Sequence, residues 1–251
     1  MASMYDRADI YDLTDTEGSR AFYKKYWEQI LAGRNVKKML DVSIGSGSVT
    51  IPVLDLGIEL SGSDLSDTML ANCGKKIEKV GKKATLKQSD FRSLDCWGDE
   101  KFDMVASTGN SLAYVSNDDV CAALEQMDKH VAEGGYLYYD SRNWEMIFRN
   151  HQRFYLYNPF FDGDTRVNLV QVWDYPEDGS IIFNLLFTFE KDNKMFQKEH
   201  FEEHYNPFPK DLAVNKLKEL GYKDIEIREF PTGKIVEDFD NTEWYSVLAR
   251  K

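Results

Sequence analysis

Between positions 38 and 140, short apolar runs that end in small or acidic residues alternate with stretches of helical periodicity. Residues 38–43, 58–63, 84–88, 102–107 and 136–140 read as strands. Residues 19–32, 66–80 and 117–131 read as helices, Ser66 and Asn117 supplying N-cap side chains and Gly33 and Gly134-Gly135 the stops. A further helix is expected to open just after the small-residue run Gly45 to Ser48. Such alternation demands a parallel sheet joined by right-handed crossovers. Ligands of these sheets bind beyond the carboxyl ends of the strands. The polar residues at those ends are Asp41 to Gly47, Asp64, Asp90, Asn110 and Asp140 to Asn143.

The pattern changes after about Arg149. Residues 153–204 are aromatic and strand-like, with turn signals at Asp162-Gly163 and Asp178-Gly179. Residues 167–175 and 181–190 form an expected antiparallel pair, with 195–204 as a third strand. A helix over 210–220 and strands over 224–230 and 244–249 follow. The expected class is α/β: a Rossmann-like, doubly wound, mostly parallel sheet with an inserted antiparallel β lid. Residues 1–150 form its core with an N-terminal helical cover, 151–206 the β insertion over the substrate side, and 207–251 the completion of the core sheet.

Composition narrows the partners. An apolar share of 42% with 14% aromatics suffices for a packed core. No apolar run reaches the ~18 residues of a membrane span, and the N-terminal MASMYDRADIYD has no secretory-type stretch. The net charge of −12 repels phosphate backbones, so nucleic acid is disfavoured. Cys73, Cys96 and Cys121 are too few and too widely spaced for a disulfide framework or a zinc site, and read as free thiols. A soluble, cytoplasmic protein acting on a small molecule is expected, with homo-oligomerisation left open.

The strongest local signal is MLDVSIGSGS, residues 39–48, between a strand and an expected helix. Its small residues let backbone approach a ligand, and a helix N-terminus offers free N–H groups. GxGxxG is absent, which argues against a nicotinamide oxidoreductase. Asp64, ending the second strand, is placed to accept the two hydroxyls of a ribose. DVSIGSG followed by SDLSDTML resembles the first two motifs of class I S-adenosylmethionine methyltransferases, with Ser43 where that family usually has glycine. The resemblance implies S-adenosyl-L-methionine as cofactor. It implies Asp41, Ser43, Gly45 and Gly47 at the methionine end, Asp64 on the ribose, Leu65 and Met69 beside the adenosine, and Asp90 and Phe91 of the SDF segment at the adenine edge. Arg20 is a candidate for the methionine carboxylate.

STGNSLAYV (107–115) and YYDSRNWEMI (138–147) are similar to two segments of the glycine and sarcosine N-methyltransferases. That likeness implies N-methylation of a small amine. In-line displacement at a sulfonium is helped chiefly by placing the amine. An amino-acid acceptor also carries a carboxylate, which Arg142 can grip in a bidentate fork, with Asn110 beside it. Tyr11 and Tyr205 are candidates to surround the reacting groups, ring faces being attractive to a sulfonium; Tyr5 and Tyr114 are weaker ones. His200 and His204 of HFEEH lack both the zincin spacing and a third ligand, so no metal is expected. The alternatives are another small acceptor on the same fold, or a protein that binds the cofactor without turnover.

Overall fold

The computed structural model describes residues 4–251, apart from the side chain of Thr14; Met1, Ala2 and Ser3 lie outside the described residues. In chain order the elements are α1 (Ala8–Tyr11), α2 (Glu17–Leu31), β1 (Lys38–Asp41), β2 (Glu59–Asp64), α3 (Asp67–Lys79), β3 (Thr85–Gln88), β4 (Phe102–Ser107), α4 (Asn117–His130) and β5 (Val131–Arg142). There follow α5 (Trp144–Asn150), β6 (Phe154–Leu156), β7 (Phe160–Asp162), β8 (Thr165–Asp174), β9 (Ile181–Lys191), β10 (Lys194–Tyr205), α6 (Lys210–Glu219), β11 (Lys223–Glu229) and β12 (Trp244–Arg250).

Seven strands form the central sheet in the order β11-β12-β5-β4-β1-β2-β3. The pairs among β1 to β5 are parallel, and β12 runs antiparallel to both β5 and β11. Successive residues of the inner strands enter opposite halves of the core. Met39, Met104, Tyr138 and Leu248 pack in one cluster with Tyr26, Trp27 and Ile30 of α2. Leu40, Val105, Leu137 and Val247 pack in the other with Val120 and Leu124 of α4 and Leu217 of α6. Both faces are therefore covered, which is why these strands read as continuous apolar runs rather than alternating ones. The expected α/β class is the observed one.

The second sheet is antiparallel, in the order β10-β9-β8-β6, with β7 also on β8. Here burial alternates: Val167, Leu169, Gln171 and Trp173 of β8 and Ile181, Phe183, Leu185 and Phe187 of β9 point inward, and their neighbours do not. One face of this sheet packs with the core and the other meets solvent.

Three local expectations are corrected. No α-helix follows the glycine loop; a 3-10 helix, Ile51–Leu56, stands there, with Pro52 in its first turn and a left-handed Gly57 ending it. Gly57 leaves no room for a longer helix before β2 begins at Glu59. Ser116, not Asn117, caps α4, its hydroxyl accepting the Asp119 N–H at 3.2 Å. Gly134-Gly135 lies inside β5 rather than ending α4. A Cβ at Gly135 would stand 2.9 Å from the Asp103 carbonyl oxygen, so glycine permits close backbone contact there. Elsewhere Thr16 and Ser19 form a capping box that starts α2 two residues before the expected position, and Ser66 caps α3 as expected.

Candidate active site

The carboxyl ends of β1, β2 and β4 open onto a cavity of about 880 Å³. That size lies in the range of small-molecule and cofactor sites. Its wall includes Ser43, Gly45, Gly47, Asp64, Leu65, Asp90 and Phe91, together with Tyr5, Tyr11, Tyr114 and Glu203.

Asp41 ends β1 fully buried and acts as the anchor of the loop. It accepts hydrogen bonds from the hydroxyls of Thr50 and Thr108, the latter at 2.7 Å, and from the Ser43 N–H at 3.1 Å. Burial nevertheless pushes its carboxyl up to about 6. The position expected to hold glycine is used: the Ser43 hydroxyl lies 3.0 Å from that of Ser107 and accepts the Thr108 N–H at 3.1 Å, tying the loop to β4.

Asp64 ends β2 on the cavity wall. One carboxylate oxygen accepts the Gly45 N–H at 2.8 Å and the other the Ser66 N–H at 2.9 Å. A carboxylate offers roughly four acceptor sites, so lone pairs remain for a ligand's hydroxyls. Gly45 and Gly47 both have left-handed backbone, with φ of 53° and 80°. Around Gly45 nothing lies within 4 Å of an added Cβ, whereas one at Gly47 would stand 2.6 Å from Ile51 Cδ1. The first glycine leaves open space on the cavity wall, and the second lets the loop pack on the core. This cradle, with an acidic group at the next strand end, fits the nucleoside and sulfonium of S-adenosylmethionine. Leu65 is 67% exposed beside it, Asp90 is held by Arg92 at 2.6 Å, and Phe91 packs half-buried.

Three expected cofactor contacts are not on this wall: Asp41, which is buried beneath the loop and bonded to Thr50, Thr108 and Ser43, Met69 and Arg20. Met69 is fully buried in α3 as part of the packed interior, because position 69 falls on the helix face turned toward the sheet. Arg20 on α2 is paired with Asp55 at 2.7 Å. The N-terminal segment is instead fastened by Lys76, which sequence reasoning missed. Its ammonium reaches Asp12 at 3.0 Å, Asp15, and the hydroxyls of Ser46 and Ser48 in the glycine loop.

The β4 end carries a second set. Gly109 and Asn110 are both left-handed, with φ of 76° and 62°. This turn aims their N–H groups at the buried Asp140, each at 2.9 Å, and the Trp244 indole adds a third donor at 2.9 Å. Asp140 is thus committed to the loop and not to Arg142; burial pushes its carboxyl up to about 7. The Asn110 amide oxygen accepts the Arg142 N–H at 3.0 Å, while its Nδ2 is buried with no partner among the described residues. The Arg142 guanidinium is ringed by Trp244, Phe183, Trp173 and Tyr155 at 4.6 to 5.9 Å, and no carboxylate pairs with it among the described residues. Arg142, Asn110 and Tyr205 stand off the cavity wall itself. They adjoin it through Gly109 and through Tyr114, whose hydroxyl lies 2.8 Å from that of Tyr205. Tyr11 is on the wall, its ring 5.8 Å from that of Tyr5.

Glu203 went unnoticed in the sequence. It shares the inward face of β10 with Phe201 and Tyr205, a period-two signal that the HFEEHY segment carries openly. His200 and His204 fall on the other face, 3.0 Å from Asn184 and 3.7 Å from Glu202 respectively. Among the described residues no three potential metal ligands gather, and no helix is long and apolar enough to cross a membrane.

Comparison with known proteins agrees with this geometry. Residues 39–135 match the family model for a methyltransferase domain. The glycine/sarcosine N-methyltransferase of Aphanothece halophytica is 25% identical over 90% of this chain and 81% of its own. An S-adenosylmethionine-dependent methyltransferase from Clostridium acetobutylicum superposes with a TM-score of 0.76 at 20% identity, over 97% of this chain and 96% of that one. A SAM-bound amino pentose methyltransferase from Micromonospora echinaspora gives 0.73 at 14% identity, over 100% of this chain and 98% of that one. Fold, loop and sequence likeness together define a class I methyltransferase. The chain is an S-adenosylmethionine-dependent enzyme, the bound cofactor supplying an electrophilic methyl group on sulfur.

Proposed function

We propose that the enzyme N-methylates a small amine bearing a carboxylate, glycine or sarcosine. The observation that carries this reading is the Arg142 guanidinium, which among the described residues pairs with no carboxylate and is boxed by aromatic rings, beside the Asn110 amide nitrogen that has no partner among them. A half-buried cation without a counter-ion and a buried donor without a partner are costly unless a ligand completes them. A carboxylate satisfies both. The likeness to glycine/sarcosine N-methyltransferases over most of the chain supports the same acceptor class.

In this reading Asp64 holds the ribose, Leu65 and Phe91 flank the adenine, and Asp90 meets its exocyclic amine. The glycine loop takes the methionine end. Tyr11 and Tyr205 surround the acceptor, and the antiparallel sheet of residues 151–206 closes over it.

Steady-state kinetics test it. Arg142→Ala is expected to raise KM for glycine or sarcosine by roughly 10- to 100-fold, from loss of a charged hydrogen-bonded pair, with cofactor affinity unchanged. Lysine at this position keeps charge but not the planar fork, so it should rescue only in part. Preference of the wild type for an amine lacking a carboxylate, or normal glycine kinetics in the mutant, would overturn the assignment.

A further inference from the structure

We propose that Glu203 takes the proton that the acceptor's ammonium must lose before methylation, and receives it through the hydroxyl of Tyr114. The inference rests on the reading of the enzyme as an N-methyltransferase.

Displacement at a sulfonium needs a nitrogen lone pair. An aliphatic amine, like a lysine with its pKa of about 10.4, is almost wholly protonated at neutral pH. A site that holds the acceptor away from water must therefore provide somewhere for that proton to go. Glu203 is 7% exposed on β10 and contributes to the cavity wall. Its Oε2 accepts from the Tyr114 hydroxyl at 3.0 Å, and its Oε1 has no hydrogen-bond partner among the described residues. The Tyr114 hydroxyl in turn meets those of Tyr5 at 2.7 Å and Tyr205 at 2.8 Å. A chain of hydroxyls between cavity and carboxylate is thus in place.

The surrounding groups fit the assignment. From the N-terminal segment Tyr5 and Tyr11, from the turn after β4 Tyr114, and from β10 Tyr205 all have hydroxyls pushed upward by burial, so they pass protons without storing them. Burial also raises the Glu203 carboxyl, against the Tyr114 hydroxyl, the Met4 backbone and the charge of His204. Glu202 and His204 also line the cavity, but they are exposed and paired with each other at 3.7 Å, outside the tyrosine cluster; Arg142 acts on Tyr205 from β5. Glu203 is the buried carboxylate bonded into the tyrosine cluster.

The step balances. The ammonium N–H bond breaks as its proton moves to the Tyr114 oxygen, and the proton Tyr114 held forms an O–H bond on Oε2. The freed lone pair then bonds to the methyl carbon as the carbon–sulfur bond breaks. The methylated ammonium leaves, and the carboxylic acid returns its proton to water.

The test is kcat/KM across about pH 6.5 to 9.5 for wild type, Glu203→Gln, Tyr114→Phe and the double variant, with cofactor affinity by calorimetry as the folding control. Near pH 7 Glu203→Gln is expected to lose about 100-fold, at the low end of general-base contributions. The gap should shrink as pH rises and free amine becomes available, which a merely structural defect would not show. Tyr114→Phe should lose a similar factor, and the double variant little more, because both remove one relay. If Glu203→Gln binds no cofactor, Glu203→Asp carries the test: a partial loss that shrinks with pH supports the relay, and a pH-independent one overturns it. Glycine turnover that depends on Arg142 but falls less than twofold in Glu203→Gln, or a gap constant with pH, overturns this inference alone. A wild type that methylates no amine overturns both readings.

Discussion

Trp244 joins Asp140 to Arg142: its indole N–H donates to the Asp140 carboxylate at 2.9 Å while its ring stands 4.6 Å from the guanidinium carbon. One side chain of β12 thereby supports both the turn at Gly109-Asn110 and the cation beside it. Trp244→Phe keeps a ring and removes the donor, a loss of about 0.5–1.5 kcal/mol. The expected result is a few-fold rise in acceptor KM, larger in Trp244→Ala, with cofactor affinity unmoved. Kinetics with each ligand varied in turn check it; a selective loss of cofactor affinity would contradict this placement.

Asp64 is bonded to the backbone of Gly45 and Ser66 and faces the cavity. Asp64→Ala should weaken S-adenosylmethionine binding by ~10- to 100-fold, as expected for charge-assisted bonds of ~1.5–3 kcal/mol. Calorimetry decides the matter, and equal affinity would remove Asp64 from the cofactor site.

Gly45 and Gly47 should fail in different ways when replaced by alanine. Both have left-handed backbone, which costs an L-residue roughly 1–2 kcal/mol. At Gly47 the new Cβ also meets Ile51 at 2.6 Å and Cys73 Sγ at 2.8 Å, adding an overpacking cost of ~1–3 kcal/mol. Gly47→Ala is thus expected to lower Tm more than Gly45→Ala does, while Gly45→Ala mainly lowers cofactor affinity. Thermal unfolding with and without cofactor separates the two; equal Tm losses would refute the contrast.

Asp140 makes stability depend on pH. Burial raises its carboxyl to about 7 in the folded chain, above the ordinary aspartate value of 3.8. The folded state therefore holds a proton that the unfolded chain has lost. The resulting stabilisation is fully present below the unfolded value and lost as pH rises through about 7, so stability falls with rising pH between about 4 and 7. Asp41, raised to about 6, has the same sign. Asp140→Asn should flatten the slope, while lowering stability throughout because its amino group cannot accept the N–H groups that the carboxylate does. Urea unfolding at about pH 5 and pH 7.5 for both proteins tests this; parallel slopes would show that Asp140 does not titrate as stated.

Local sequence determined the strands of the central sheet and their carboxyl ends, but not the short elements α1, α5, β6 and β7, nor the 3-10 helix Ile51–Leu56 that stands where a longer helix was expected. A strand, a run of small residues and an acid at the next strand end specify Asp41, Gly45, Gly47 and Asp64 together, because a parallel βα arrangement puts adjacent strand ends side by side. The alternating pattern of β8, β9 and β10 was equally plain, since one face of that sheet is wet. Tertiary structure alone decided the rest, because it depends on contacts between residues far apart in the chain. Lys76 meets Asp12 across 64 positions, and Tyr114 meets Glu203 across 89. Arg20 was drawn to Asp55 by charge, and Met69 into the core by the rotation of its helix. Arg142 was legible as a strand-end cation, but its setting was not: the four rings around it come from β6, β8, β9 and β12, brought to one place only when the two sheets pack. Periodicity and turn chemistry act over a few residues, whereas the partners of a buried charge are chosen by the fold as a whole.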